Sequence, residues 1–463
     1  MSSKIGGRHT RRYTKNQLGA LALVCLAGLA AILFAISLSL PAGVAADGKE
    51  NRPQKLSSNG TRLTSELNGS LATRDGQRLR LVVDLGNVVI KTGNAGKIDY
   101  KVRLEVNSAE KDARRLLRNF SVAARETPDG VYFRGQTFGH QSSGRLWVTV
   151  ELNIPKAYNV DVITGGGNIE SEDVNGRVSL VTAGGTIVAG NIGGFAHLET
   201  AGGHVVVKNV AGDLTAISGG GHITAGSISG SANLHTTGGH IRAESIQGPA
   251  HVSTGGGNIS VDHSGSGLVA ETTGGQIEVG ETSGLVKAKN GGGGIRVVRV
   301  SGPTNLETSG GSIYLTQVDS AVNASTSTGA ITAWFVAPVK PPSHCELQSG
   351  DGDIVVYIPR QLPVTIDAQV QSGDEHQVSF DPAFATTLHR DDSPGGGFHA
   401  EGSLNGGGEV IHLRTAGGNI HVIMSDTARQ LQLYRQQMQQ LEQKLAFQLR
   451  LLQDPRQQTG PVP

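Results

Sequence analysis

Thr200-Ala201-Gly202-Gly203-His204-Val205, Ser218-Gly219-Gly220-Gly221-His222-Ile223 and Thr236-Thr237-Gly238-Gly239-His240-Ile241 are three copies of one motif, set 18 residues apart. Working outward, the same Gly-Gly-x-Ile unit recurs without a slip. Its anchors are Ile169, Ile187, Val205, Ile223, Ile241, Ile259, Ile277, Ile295, Ile313 and Ile331. Gly-Gly precedes nine of the ten anchors, and only Thr328-Gly329 departs. A fixed period of this kind is the signature of a repeat architecture. With each anchor as position zero, position +2 is apolar or small (Val207, Val261, Leu315) and +5 is mostly apolar (Ile192, Val210, Ile228). Position +7 is usually glycine, and +13 is a hydroxyl column that includes Thr182, Thr200, Ser218, Thr236, Thr254 and Thr272. Between them lie polar residues, such as Glu170 and Arg242 at +1 and Glu199 and Lys289 at +12. Alternation with period two reads as strand. Two alternating runs broken by glycine make one coil of a β-solenoid. The predicted fold is therefore all-β: a single-chain β-solenoid (β-helix) with 18-residue coils, β-rich caps and a C-terminal α-helix.

The physics of stacking supports this. Coils stacked about 4.8 Å apart put Ile, Val and Thr against their own kind. No coil can bury its inner face alone; its neighbours do that. Ten coils would rise roughly 45 Å at that spacing. A thin interior leaves no room for Phe or Trp, in keeping with only 4% aromatic residues. The glycines are expected at corners needing positive φ or close backbone approach.

Composition narrows the function. The 463 residues include 66 glycines but no Gly-X-Y period, which excludes collagen. With 37% hydrophobic residues and a net charge of +1, wholesale disorder is excluded. Forty basic residues against 39 acidic ones give no pull toward nucleic acid. Cys25 and Cys345 are the only cysteines, too few for a disulfide framework or a Cys-rich zinc site.

The termini add a compartment. Residues 1–17 are basic, with Lys4, Arg8, Arg11, Arg12 and Lys15, and read as a cytoplasmic tail. Leu18 to Leu40 carries no charge and is long enough to span a bilayer. Val44 and Ala46 suit a signal-peptidase site, so 18–46 reads as a transmembrane anchor or a signal segment, its length favouring the anchor. Either way the remainder lies outside the cytoplasm: on a single-pass cytoplasmic-membrane protein, in the periplasm or extracellular space, or secreted after cleavage near Ala46. Residues 47–72 form a polar linker and 73–163 an N-terminal β cap, with a short helix at 109–117 capped by Ser108. The 18-residue-repeat solenoid covers 164–335. C-terminal coils with inserted loops occupy 336–424, the stretch 371–409 reading as loop. Residues 425–454 are a Gln-rich amphipathic helix, and 455–463 a tail. Within that helix Leu431, Tyr434, Met438, Leu441 and Leu445 keep a 3-4-3-4 spacing. This is either a short coiled-coil seam for a homo-oligomer through 426–454, or a helix packing on the solenoid's end.

Leu152-Asn153-Ile154-Pro155, the run from Val160 to Ile169 and the Thr-x-Gly-Gly-x-Ile units resemble the bacterial extracytoplasmic family named putative adhesins, a domain of unknown function. Residues 84–90 resemble its start, and the likeness spans roughly 80–424. It implies a membrane-tethered or secreted β-solenoid.

Three chemistries are candidates. His204, His222 and His240 stack at position −1, continued by Asn168, Thr186, Asn258 and Gln276. They are the candidate ligand-binding residues. They could share zinc or copper, yet no carboxylate or cysteine completes a set, so no metal is assigned; a pH response is the softer option. Glu244 and Asp262, with Glu281, are the acid pairs a polysaccharide-cleaving β-helix would need. No loop builds a cleft around them, so no catalytic residue and no cofactor is assigned. A calcium β-roll would require an Asp column that is lacking, and no Walker A, Gly-x-Ser-x-Gly or His-Glu-x-x-His string occurs. The expected function is a non-catalytic envelope protein, an adhesin or surface-binding solenoid, its partner an envelope or cell-surface ligand such as a glycan. The alternative is a self-associating envelope scaffold.

Overall fold

The structure is a computed structural model that describes residues 56–93, 96–107, 113–138, 146–336, 344–372, 375–390 and 397–425. The expected anchor or signal segment 18–46 and the helix 426–454 lie outside these residues, as do the helix start 109–112 and its cap Ser108. The chain divides into two units, up to Glu278 and from Val279 onward.

In the first unit each coil contributes two strands. One begins at the anchor, as in Ile187–Ile192, Val205–Val210, Ile223–Ile228 and Ile241–Ile246. The other ends at the hydroxyl, as in Ala196–Thr200, Leu214–Ser218 and Ala232–Thr236. Like strands pair in parallel with an offset of one repeat: Ile187 faces Val205, Val205 faces Ile223 and Ile223 faces Ile241. The repeat read from the sequence is thus the pairing register itself. Inward columns are buried throughout, among them Ile223, Ala225, Ile228, Leu234 and Ile241. Each fully buried Val, Leu or Ile contributes roughly 1.5–3 kcal/mol of transfer free energy.

The hydroxyl column closes the corner beside the Gly-Gly pair. Thr236 Oγ1 donates to the carbonyl of Gly221 in the preceding coil at 2.8 Å and accepts from the Gly239 amide at 3.3 Å. Thr200, Ser218, Thr254 and Thr272 donate in the same way. The buried hydroxyl therefore satisfies two backbone groups that no strand ladder reaches. The glycines divide by role. At the second position a Cβ on Gly239 would collide with the carbonyl oxygen of Gly221, and Gly203, Gly221 and Gly257 repeat that collision one coil along. At the first position Gly202, Gly238 and Gly256 would meet nothing within 4 Å. In these coils close backbone approach, and not positive φ, demands the second glycine; in the first copy Gly167 has both, with φ at 128°.

The expected N-terminal cap, 73–163, includes a coil. Arg78–Val83 pairs in parallel with Asn159–Thr164, and Asn87–Thr92 with Ile169–Ser171, so residues 78–92 form a coil. A later segment lies outside it: Gly130–Thr137 pairs with Arg78–Val83, and Leu146–Ile154 with Asn87–Thr92. The strand Leu146–Ile154 therefore does not feed straight into the first coil, as its sequence position suggests. Antiparallel strands then cover the edges, Lys97–Asn107 and Arg62–Ala72 on one sheet and Phe120–Thr127 on the other. Leu56–Asn59 and part of the expected linker are thus strands. The α-helix described is Ala113–Arg118, and it buries Leu116 and Leu117. Phe120, Phe133 and Tyr158 are fully buried here, so this part of the interior does admit aromatic side chains.

The second unit continues the scheme with one substitution. Asn290 stands where other coils carry Thr, and its Oδ1 accepts from Gly292 and Gly293 at 3.2 and 3.0 Å. At its far end Ile331–Phe335 pairs with Ile354–Pro359, a step of 23 residues. Phe335 takes the column of Val318 through a register shift and is buried, so a coil does admit one Phe. The last motif copy is stacked early. Val410–Thr415 and Ile420–Ser425 pair with Cys345–Ser349 and Ile354–Pro359. The earlier segment Val364–Val370 lies outside it. The Gly-rich stretch 371–409, expected to be loop, holds Val378–Phe380, Ala385–Arg390 and Phe398–Leu404. The last two form an antiparallel hairpin that covers the edge. Buried Phe384, Phe398 and Leu404 hold it down, a spacing that the surrounding Gly, Asp and Ser obscured.

Candidate functional site

The imidazoles of His204, His222 and His240 form a regular column on the first unit. Ring centroids lie 4.9 Å apart, with interplanar angles of 13° and 8°. All three side chains are exposed. The parallel register places them, and a backbone bond fixes each ring. His204 Nδ1 accepts from the His222 amide at 2.9 Å, and His222 Nδ1 from the His240 amide at 2.8 Å. His240 Nδ1 accepts from the Asn258 amide at 2.8 Å.

Asn does the same work in this column. Asn168 Oδ1 accepts from the Thr186 amide, and Asn258 Oδ1 from the Gln276 amide, each at 2.9 Å. Asn87 in the inserted coil serves Asn168 likewise. His and Asn interchange because each places an acceptor at the δ position. The device recurs at other corners: Asp173 accepts from Asn191, Asn209 from Ser227, and Asp213 from Ser231. Those bonds hold the carboxyls of Asp173 and Asp213 below the ordinary carboxylate range, the backbone amide being the first cause in both.

This assigns the tautomer. With Nδ1 accepting, neutral imidazole carries its proton on Nε2. Each ring thus presents an outward N–H at the coil spacing. Partial burial, with the neighbouring His240 and His204, lowers the pKa of His222. A shared metal does not fit. Parallel rings 4.9 Å apart are separated by more than twice a zinc–nitrogen bond of about 2.1 Å, and Nδ1 is spent.

Asp262 is held by Arg242 at 2.8 Å, and Glu244 and Glu281 are exposed. Two features escaped the sequence reading. A shallow groove of about 270 Å³ runs along a neighbouring corner, lined by Lys156, Asp173, Asn191, Asn209 and Ser227. In the second unit Asp367 sits between His399 Nε2 at 2.6 Å and His412 Nδ1 at 2.7 Å. Burial opposes charge on Asp367, but hydrogen bonds from His412 and His399 outweigh it and lower its pKa. The groove follows from the 18-residue register; the Asp367 cluster does not, because its strands join outside the repeat. No helix among the described residues is long and apolar enough to cross a membrane.

No curated protein matches the chain. Among solved structures, the chain is similar to a putative adhesin from Bacteroides fragilis NCTC 9343. That likeness has 12% identity, covers 54% of this chain and 96% of the other, and has a TM-score of 0.25. It is also similar to a putative cell adhesion protein from Clostridium sporogenes ATCC 15579, at 10% identity, covering 78% and 100%, with a TM-score of 0.13. The family resemblance carried by the Gly-Gly-x-Ile units and the strands before them is met by a direct match: residues 77–306 match the model of the Toastrack DUF4097 family.

Proposed function

We propose that this is a non-catalytic, adhesin-like envelope protein that binds a surface polymer along the outward face of its coils. The observation that carries it is the imidazole column: three exposed Nε2–H donors at 4.9 Å intervals, held by backbone bonds that leave nothing to rearrange on binding. A repeating polysaccharide offers hydroxyl and ring oxygens at a comparable spacing, so His204, His222 and His240 are assigned to ligand binding. Fixed donors bind well because little freedom is lost. Regular polar ladders without a convergent acid or nucleophile suit binding better than reaction. The apolar run at 18–46 would place the repeat outside the cytoplasmic membrane, anchored or released.

The test is a glycan array probed with the protein and with the triple variant His204→Asn/His222→Asn/His240→Asn. Asn preserves the δ acceptor and removes the Nε2–H. Binding that disappears in a folded variant supports the reading. Equal binding by both proteins, or no glycan bound by either, removes it.

A further inference from the structure

The two outward faces at the start of the first unit treat their cations differently. On one sheet Arg62 and Arg103 pair with Glu105, Lys101 with Glu66, Lys97 with Asp99 and Lys91 with Glu151. On the other, the strands Phe120–Thr127, Gly130–Thr137, Arg78–Val83, Asn159–Thr164 and Val178–Thr182 lie side by side. Arg125, Tyr132, Arg80, Asp161 and Ser179 make one outward row across them, and Arg134, Val82, Ile163 and Val181 belong to the next. Asp161 is the acid of these two rows, and Arg78 Nε holds it at 3.1 Å. Among the described residues no carboxylate pairs with Arg80, Arg125 or Arg134. Glu126 and Asp84, at the strand ends, are taken up by the Ala72 and Thr137 amides. The Arg125 guanidinium lies 5.1 Å from the centre of the Tyr132 ring. A groove of about 330 Å³ opens in this face, lined by Arg78, Arg80, Asp161, Ile163 and Ser179.

We propose that this face binds an acidic polysaccharide through its carboxylates. Like charges gathered without counter-charges repel, and an anionic ligand relieves that repulsion. The unpaired cations of the two rows are all arginines, whose fork meets a carboxylate with two parallel hydrogen bonds. Neighbouring strands lie about 4.8 Å apart, so Arg80 and Arg125 stand roughly 10 Å apart with Tyr132 between them. Val82, Ile163 and Val181 are half-buried and form an apolar stripe beside the arginine row. A uronate-type sugar presents both partners at once: C–H ring faces for Tyr132 and the stripe, and a carboxylate for Arg80 and Arg134. A phosphodiester chain or a phospholipid surface offers the charge without the ring. The site lies on a sheet face, away from the corner that holds the imidazole column, so neither reading depends on the other.

Polygalacturonate is the probe, titrated against the full chain by calorimetry. Dextran serves as the neutral polymer and polyphosphate as a charged chain without sugar rings. The protein is expected to bind polygalacturonate, more tightly than polyphosphate, and to leave dextran unbound, with affinity falling as salt rises. Arg80→Gln/Arg134→Gln should weaken binding about tenfold or more. Lys97→Gln/Lys101→Gln removes the same net charge from the paired face and should change binding less than about twofold. Thermal unfolding of each variant verifies that it is folded. The comparison of polymers needs no variant, so it stays decisive if a double variant misfolds. No binding of polygalacturonate overturns the proposal. So does polyphosphate bound as tightly or more tightly, because the rings then contribute nothing. Equal losses in the two double variants also overturn it, because net charge alone then sets the affinity.

Discussion

Asn and His share one property that a hydropathy scale misses: both place a hydrogen-bond acceptor at the δ atom. That property explains why Asn168, His204, His222, His240 and Asn258 occupy one column, each accepting from the next backbone amide. A sharp contrast follows. His222→Asn should leave stability within about 0.5 kcal/mol, as for a surface change that keeps its bond. His222→Ala should cost about 1 kcal/mol, because the His240 amide loses its acceptor. Thermal unfolding of the two variants checks this; equal losses would show that the rung does not matter. The paired glycines offer a second contrast. Gly239→Ala puts a methyl into the Gly221 carbonyl and should cost roughly 3 kcal/mol, whereas Gly238→Ala, facing open space, should be close to neutral. Urea midpoints of this pair would decide whether stacking or turn conformation selects glycine. The column itself was legible in the sequence. Its chemistry was not, because spending Nδ1 on a backbone amide becomes visible only once residue i is known to lie beneath residue i+18.

At the scale of the element, sequence and structure part at the ends of the repeat. The uniform coils announce themselves through Gly-Gly and the hydroxyl. Each of those coils pairs with its neighbours in sequence, so period and register are the same fact. Residues 78–92 and 410–425 are also coils, but each is stacked out of chain order between two others. No periodicity can encode that exchange, because it is a pairing over long sequence separation. The stacked rings of Trp334 and Tyr357 were hidden similarly: a step of 23 residues interrupts the count between their strands. The exchanged coils share a consequence. They let antiparallel strands form the outer edges of both sheets in the first unit and of one sheet in the second, where the other ends on the three-residue parallel strand Val378–Phe380; this blunts end-to-end stacking. Removing Leu56–Ala72 should therefore bare the 11-residue edge Lys97–Asn107. A protein beginning at Thr73 is expected to assemble with concentration, while one beginning at Leu56 does not. Sedimentation of the two over one concentration series tests this, and identical monomers would show that the strand is dispensable for protection.

For the whole molecule the decisive quantity is the balance of protons between folded and unfolded chains. Net charge is close to zero, so no global repulsion sets the pH response. Individual shifted groups must set it instead. Burial lowers the pKa of His222, helped by His240 and His204, and burial lowers that of His235, helped by His251. Below the ordinary value of 6.5 the unfolded chain holds protons that these folded imidazoles refuse. Stability is therefore full above 6.5 and falls as pH drops through the window beneath it. Protonation of His222 would also set an Nδ1–H against the His240 amide that now donates to it. A second decline should come from Asp173, Asp213 and Asp367, whose pKa values lie below 3.8 when folded. Their contribution is present above 3.8 and is lost as pH falls below it. A thermal midpoint measured from pH 8 to pH 3 should thus be flat, then fall in two stages. His222→Asn with His235→Gln should flatten the first stage and leave the second in place, because the carboxylates are held by backbone amides and by other histidines. A first stage that survives both substitutions would assign the acid response to groups other than these imidazoles.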